Sequence, residues 1–189
     1  MPLPNWFAMY ADTFFAKHLA HLAGKPNLDF LQIGCFAGHA SRWLLENVIT
    51  DSSSHLDDVD GWTGSDDIHD IDFREVEAAY DAAIAPHADR VTKYKQLSGD
   101  YFAGLLREPM YDFIYIDGDH TAFAVLNDAV DAYHRLKAGG ILAFDDYLWR
   151  IDSNPLHHPY PSIDAFLTLY ADRMEVFDVG AQVWARRIA

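Results

Sequence analysis

The feature that most restricts this chain is a strand-length apolar run that ends in glycine and passes directly into a helical pattern: residues 28–33, then Gly34-Cys35-Phe36-Ala37-Gly38, then residues 39–48. Read by hydrophobic period, this is a buried strand, a tight turn and a helix. The alternation repeats downstream. It predicts strands at 55–60, 91–97, 111–116 and 141–144, helices at 72–85, 100–107 and 123–136, and a return turn at 137–140. Strands alternating with helices point to a parallel sheet joined by crossover helices. After Asp145 the pattern changes to a loop holding Pro155, Pro159 and Pro161, then a helix at 162–170. Strands at 174–179 and 182–188 around Gly180-Ala181 then read as an antiparallel hairpin. Ahead of the first strand, Phe7, Tyr10, Phe14, Phe15, His18, Leu19 and Leu22 sit at helical spacing, stopped by Gly24 and Pro26. The expectation is a single α/β domain over 1–189, a helical extension at 1–26 leading into a core at 27–189.

A chain of 189 residues, half of them hydrophobic, buries a core of ordinary size. Its net charge of -15 argues against a nucleic acid partner and against anionic membranes, since both are bound through clustered Lys and Arg. Cys35 is the single cysteine, which excludes an internal disulfide and fits a reducing compartment. Residues 1–10 lack the basic and long apolar stretches of a secretory signal, and no apolar run approaches the ~20 residues that span a bilayer. These features predict a soluble, cytoplasmic protein, alone or as a homodimer, and do not identify its substrate.

In a doubly wound sheet, ligands settle at the carboxyl ends of the strands where the strand order reverses. Gly34 and Gly38 allow close backbone approach there, and the amides opening the next helix offer a weakly positive surface. The same glycines serve a purely structural turn equally well, and the GxGxxG of a dinucleotide turn is missing. Asp60, closing the second strand, can accept hydrogen bonds from both hydroxyls of a ribose. Asp57 and Asp58 read as solvated turn acids. Trp62 suits either an adenine face or the core, and Ser98 either an adenine contact or a helix cap. Asp117 and His120 follow the clearest strand, and Asp145-Asp146 follow the next. In a parallel sheet both pairs project at one edge, so Asp117, Asp145 and Asp146 either hold a divalent cation such as Mg²⁺ or remain solvated loop acids. His120 is placed either to take a proton from an acceptor hydroxyl or to open a helix. His157 and His158 read as solvated loop residues, and Cys35 as a small residue that fits the turn.

Taken together, these residues resemble the class I S-adenosylmethionine-dependent methyltransferases, specifically methyltransferase family twenty-four. The resemblance lies in five ordered blocks: 31–38 with 43–50, 59–65, 112–120, 136–147 and 163–167. It implies a Rossmann-like, mostly parallel seven-stranded sheet with a C-terminal antiparallel hairpin and helices on both faces. It further implies S-adenosylmethionine bound at Gln32, Gly34, Cys35, Phe36 and Gly38, at Asp60 for the ribose, at Trp62 and Ser98 for the adenine, and at Asp117 on the sulfonium side. Metal-dependent sugar O-methyltransferases look similar at Asp117, His120 and Asp145-Asp146, where metal and base sit. The chain departs from the family at Gln32, where an acidic residue is usual, which removes a charge that favours a cationic cofactor. Two rival readings are a noncatalytic cofactor-binding protein, motivated by Gln32 and the short chain, and a nicotinamide oxidoreductase, disfavoured by the absent GxGxxG.

Overall fold

A computed structural model describes residues 3–64 and 71–188. Ser65, the end of the second sequence block, lies outside the described residues. The strands β1 (Asp29–Ile33), β2 (His55–Asp60), β3 (Val91–Lys95), β4 (Tyr111–Ile116), β5 (Leu136–Phe144), β6 (Met174–Val179) and β7 (Val183–Arg187) form one sheet in the order β3-β2-β1-β4-β5-β7-β6. The first five pair in parallel, while β7 runs antiparallel between β5 and β6. The order reverses between β1 and β4, so the crevice above their carboxyl ends is where this architecture places a ligand. Phe113, Ile114, Tyr115 and Ile116 of β4 are all buried, as expected of a central strand covered on both faces.

The N-terminal segment does not form the regular amphipathic helix its spacing predicts. It is wound as a 3-10 turn at Trp6–Met9, a π-helical stretch at Ala11–Ala16, one α-helical turn α1 (Lys17–Leu19) and a second 3-10 turn at Ala20–Leu22. The Tyr10 carbonyl accepts from both Phe14 N at 2.9 Å and Phe15 N at 3.3 Å. That slackened winding brings Phe7 over Phe15, with ring centres 4.8 Å apart, where a uniform helix would splay them. Phe15 packs against Tyr115 and Trp184 of its own sheet, and Asp178 of β6 takes Lys17 at 2.8 Å and His18 at 2.7 Å. The segment shares its sheet face with α2 (His39–Asn47) and α3 (Phe73–Ile84). The opposite face carries α4 (Ser98–Ala103), α5 (Ala122–Arg135) and α6 (Tyr160–Leu169).

Other boundaries move for local reasons. Residues 137–140 are not a turn before β5 but a bulge within it: Leu136 pairs with Tyr111, and pairing resumes at Ile141 with Phe113. Gly139, at φ +80°, takes the left-handed step this excursion requires. The helix expected at 100–107 starts at Ser98 and stops at Ala103, and α6 begins at Tyr160 because proline is compatible with a first helical turn. Among the described residues, no helix is long and apolar enough to cross a membrane.

Candidate active site

The β1–α2 turn is held by protein groups on every side. Gly34 adopts φ +81°, and a Cβ there would lie 1.9 Å from the Asp117 carbonyl oxygen. The glycine is therefore required by the backbone leaving β4, whatever else approaches the turn. Gly38, at φ +75°, precedes α2 and faces Tyr80 of α3, whose Cδ2 would be 3.1 Å from a Cβ. Asp60 Oδ2 accepts from Cys35 N at 2.8 Å and Phe36 N at 2.9 Å, while Oδ1 accepts from Trp62 N at 2.7 Å. The Trp62 indole donates to the Phe36 carbonyl at 2.9 Å. The end of β2 thus clamps the turn from both ends of one peptide segment, holding Phe36 and Trp62 in left-handed conformations at φ +47° each.

This clamp changes the role of several expected contacts. Trp62 is buried against Tyr80, at 4.8 Å between ring centres, with Lys93 Nζ 4.6 Å from its own ring centre. Its ring is occupied by core packing, so the expected adenine contact gives way to a structural one. Gln32 is buried as well: its Nε2 donates to the Gly34 carbonyl at 2.9 Å and its Oε1 accepts from Ser41 at 3.2 Å. A carboxylate could not make the first of these bonds. Ser98 opens α4 without capping it and hydrogen-bonds instead to Asp128 of α5, a carboxyl that burial pushes up to about 6.

The reading of Asp57 and Asp58 as solvated turn acids is corrected, because both lie within β2. Asp57 accepts from Tyr111 at 2.7 Å and Tyr101 at 3.0 Å on one face. Asp58 points to the other face, is 0% exposed, and takes the Tyr80 hydroxyl at 2.9 Å. Sequence spacing carried a signal for this: alternation in a strand sends neighbouring residues to opposite faces, so one of the two had to point toward α2 and α3.

The carboxyl ends of β4 and β5 bring Asp117, His120 and Asp146 together, each offering a ligand atom within 4.8 Å of the others. His120 Nε2 lies 3.0 Å from Asp146 Oδ2, and its ring is 4.8 Å from that of Trp149. Asp145, expected beside them, is turned inward. It accepts from the Tyr115 hydroxyl, from Gln182 at 3.2 Å and from Asp146 N at 2.8 Å. His120 therefore takes the third place in this cluster, and Asp145 supports Asp146, which sits at φ +56°. Burial, and then Asp145 and Asp146, push the Asp117 carboxyl well above the usual range; burial and Asp146 raise Asp145 to about 6. A small recess at this edge is lined by Asp117, Gly118, His120, Asp145, Val125 and Pro159.

Further residues gather here that spacing did not single out. Burial, and then the carboxylates of Asp145, Asp146 and Asp117, push the Tyr10 hydroxyl up to about 12, so the N-terminal segment reaches the acidic edge. Trp6 of the same segment packs on Phe36 of the turn at 4.9 Å. His158 is 2% exposed rather than solvated, its Nε2 donating to the Asp152 carbonyl at 2.9 Å and its ring lying 6.2 Å from that of Trp149. His157, which pairs with Asp152 at 2.7 Å, is exposed as expected. The N-terminal segment before β1 and the loop after β5 together bring these groups to the edge, and no local pattern encodes that meeting.

The family model Methyltransf_24, a methyltransferase domain, matches residues 31–147. Protein R132 of Acanthamoeba polyphaga mimivirus, described as uncharacterized, is 26% identical over 154 residues, covering 74% of this chain and 62% of that protein. The chain thus spans less than two thirds of the length of this curated relative. Among solved structures, the O-methyltransferase TomG of Streptomyces achromogenes, involved in tomaymycin synthesis and crystallised with S-adenosylmethionine, is similar at a TM-score of 0.69 and 15% identity. That similarity covers 96% of this chain and 81% of TomG. An O-methyltransferase of Bacillus cereus in complex with S-adenosylhomocysteine is similar at a TM-score of 0.62 and 18% identity, over 99% of this chain and 92% of that one. At these identities the shared property is the fold.

Proposed function

This chain belongs to the methyltransferase-domain family its residues 31–147 match, and from that premise we propose that it transfers the methyl group of S-adenosylmethionine to a hydroxyl oxygen of a small acceptor. The observation that carries the reading is the meeting of the glycine turn, Asp60 and the Asp117–His120–Asp146 cluster at the strand-order reversal. Gly34 to Gly38 and Asp60 take the cofactor. Asp60 Oδ2 is filled by two amides, but Oδ1 accepts only Trp62 N and keeps a lone pair, so a ribose hydroxyl can donate there without dismantling the clamp.

In the transfer, the sulfonium–methyl bond breaks as the acceptor oxygen–methyl bond forms, leaving S-adenosylhomocysteine and a methyl ether. His120 takes the hydroxyl proton, and Asp146, 3.0 Å away, orients the ring and offsets the charge it gains. Trp149 packs on the same imidazole and restricts its rotation. Most of the rate gain comes from holding donor and acceptor aligned.

Two carboxylates and one imidazole also suit a divalent ion such as Mg²⁺ or Mn²⁺, and the mutual repulsion that raises the proton affinity of Asp117 is what a cation relieves. When bound, such an ion would lower the proton affinity of the acceptor hydroxyl. Asp117, His120 and Asp146 would hold it, His120 then serving as a ligand in place of the base, and the small-molecule acceptor, not nucleic acid or membrane, is the partner this acidic site suits.

Titration calorimetry with S-adenosylmethionine tests the cofactor; absence of binding at millimolar ligand overturns the reading. Formation of S-adenosylhomocysteine with a panel of small hydroxyl compounds tests catalysis. If binding occurs with no acceptor-dependent turnover, the noncatalytic alternative replaces it.

A further inference from the structure

Gln32 and Asp58 are direct partners in the β1–β2 register, buried side by side on the face that packs against α2 and α3. Ser41 of α2 donates its one hydroxyl proton to Gln32 Oε1 at 3.2 Å and lies beside Asp58. The Cys35 thiol of the turn also lies beside Asp58, and the Tyr80 hydroxyl of α3 donates to it. One oxygen, Asp58 Oδ1, has no hydrogen-bond partner although it is fully enclosed. The lysine beside it in the sheet, Lys93, is its register partner on β3 but sends Nζ to Glu77 at 2.8 Å and Asp81 at 2.7 Å. A buried carboxylate without a cation and with an idle oxygen is costly, so its place directly below the turn calls for a use.

We propose that Asp58, the register partner of Gln32 with one enclosed oxygen unpartnered, supplies a carboxylate beneath the 34–38 turn, positioning it and favouring the cationic sulfonium cofactor over its uncharged product. This inference rests on the S-adenosylmethionine reading above. Cys35 and Ser41, which lie beside the carboxyl, belong to the turn and to the helix that follows it, so Asp58 acts as a positioning residue. The charge of Asp58 is set near neutrality: burial raises its carboxyl to about 7. Of the groups facing it, the Cys35 thiol and Tyr80 hydroxyl are pushed upward by burial and stay neutral, Ser41 does not titrate, and Lys93 stays cationic between Glu77 and Asp81. Asp57 of the same strand faces the other way, toward Tyr101 and Tyr111.

The experiment compares dissociation constants for S-adenosylmethionine and S-adenosylhomocysteine by titration calorimetry at pH 6 and pH 8.5. The two ligands share their amino acid and nucleoside parts, so their ratio isolates the sulfonium charge. In the unmodified protein the preference for S-adenosylmethionine should rise with pH by about fivefold, a size expected for one charge acting across roughly 10 Å of protein. Asp58→Asn should remove that rise and lower the preference, and Gln32→Glu combined with Asp58→Asn should restore the preference. A ratio unchanged by pH in the unmodified protein overturns the proposal without any variant. Equal weakening of both ligands in Asp58→Asn, which a purely structural role would give, also overturns it. Failure of the unmodified protein to bind either ligand refutes instead the cofactor reading on which the proposal rests.

Discussion

The glycine turn after β1 and the acidic edge after β4 and β5 lie side by side at one end of the sheet, yet they are stabilised on opposite terms. Around the turn, polar groups are closed by other protein groups: Asp60 by three amides, the Phe36 carbonyl by Trp62, and the Gly34 carbonyl by Gln32. At the acidic edge, Asp117 and Asp146 meet across His120 with Asp145 turned inward behind them, and burial raises the proton affinity of Asp117 and Asp145. The turn's shape therefore exists before anything binds, whereas the edge carries repulsion that a proton or a cation relieves. The lesson is that preorganisation and stored electrostatic cost are divided between two adjacent regions of one cleft.

The comparison breaks most visibly at Gly34. Gly34→Ala places a Cβ against the Asp117 backbone at a left-handed φ, where neither partner can yield cheaply. We expect a loss of at least about 4 kcal/mol, read by denaturant unfolding, and a wild-type-like midpoint would show that the two regions are not in fact locked together.

The next effect is one of pH. Asp58 is raised to about 7, and Asp145 and Asp128 to about 6, so the folded chain holds protons that the unfolded chain releases above pH 4. Fewer protons bound when unfolded means that these groups make stability fall as pH rises, here between about pH 4 and 7, Asp58 alone accounting for about 4 kcal/mol. Asp58→Asn should flatten much of that slope in melting curves taken across the window; an unaltered slope would assign it to Asp145 and Asp128 instead.

Asp60→Ala sharpens the contrast from the turn's side. Three amides lose their acceptor, with an expected cost of about 2 kcal/mol and weaker S-adenosylhomocysteine binding by calorimetry. Asp146→Asn should do the reverse at the edge. Removing one of the like charges, it should raise stability by about 1 kcal/mol, the smallest of these effects, while lowering any melting-temperature gain from Mg²⁺ or Mn²⁺. If Asp146→Asn destabilised the chain as Asp60→Ala does, the distinction between the regions would be lost.

Much of this cleft was legible before folding was considered. Strands at 55–60, 111–116 and 174–179 follow from apolar alternation alone, and they set where Asp60 and Asp117 emerge. The N-terminal segment was legible only as helical, because its π winding answers to Phe15 meeting Tyr115 and Trp184 across the sheet. His158 read as solvated because nothing in a proline-rich loop announces that it folds back toward Trp149. Asp145 and His120 exchanged expected places because adjacency in sequence does not say which of two neighbouring carboxylates turns inward to Tyr115 and Gln182.

By itself, then, the sequence determined the order of strands and helices, the glycine turn and the family to which the chain belongs, since these depend on period, punctuation and local motif. Only the tertiary structure decided what each polar side chain does. Register placed Asp58 beside Gln32, and the close passage of the β4 exit over Gly34 made that glycine obligatory. Those outcomes depend on which surfaces meet across the sheet, a long-range property that no short stretch of chain contains.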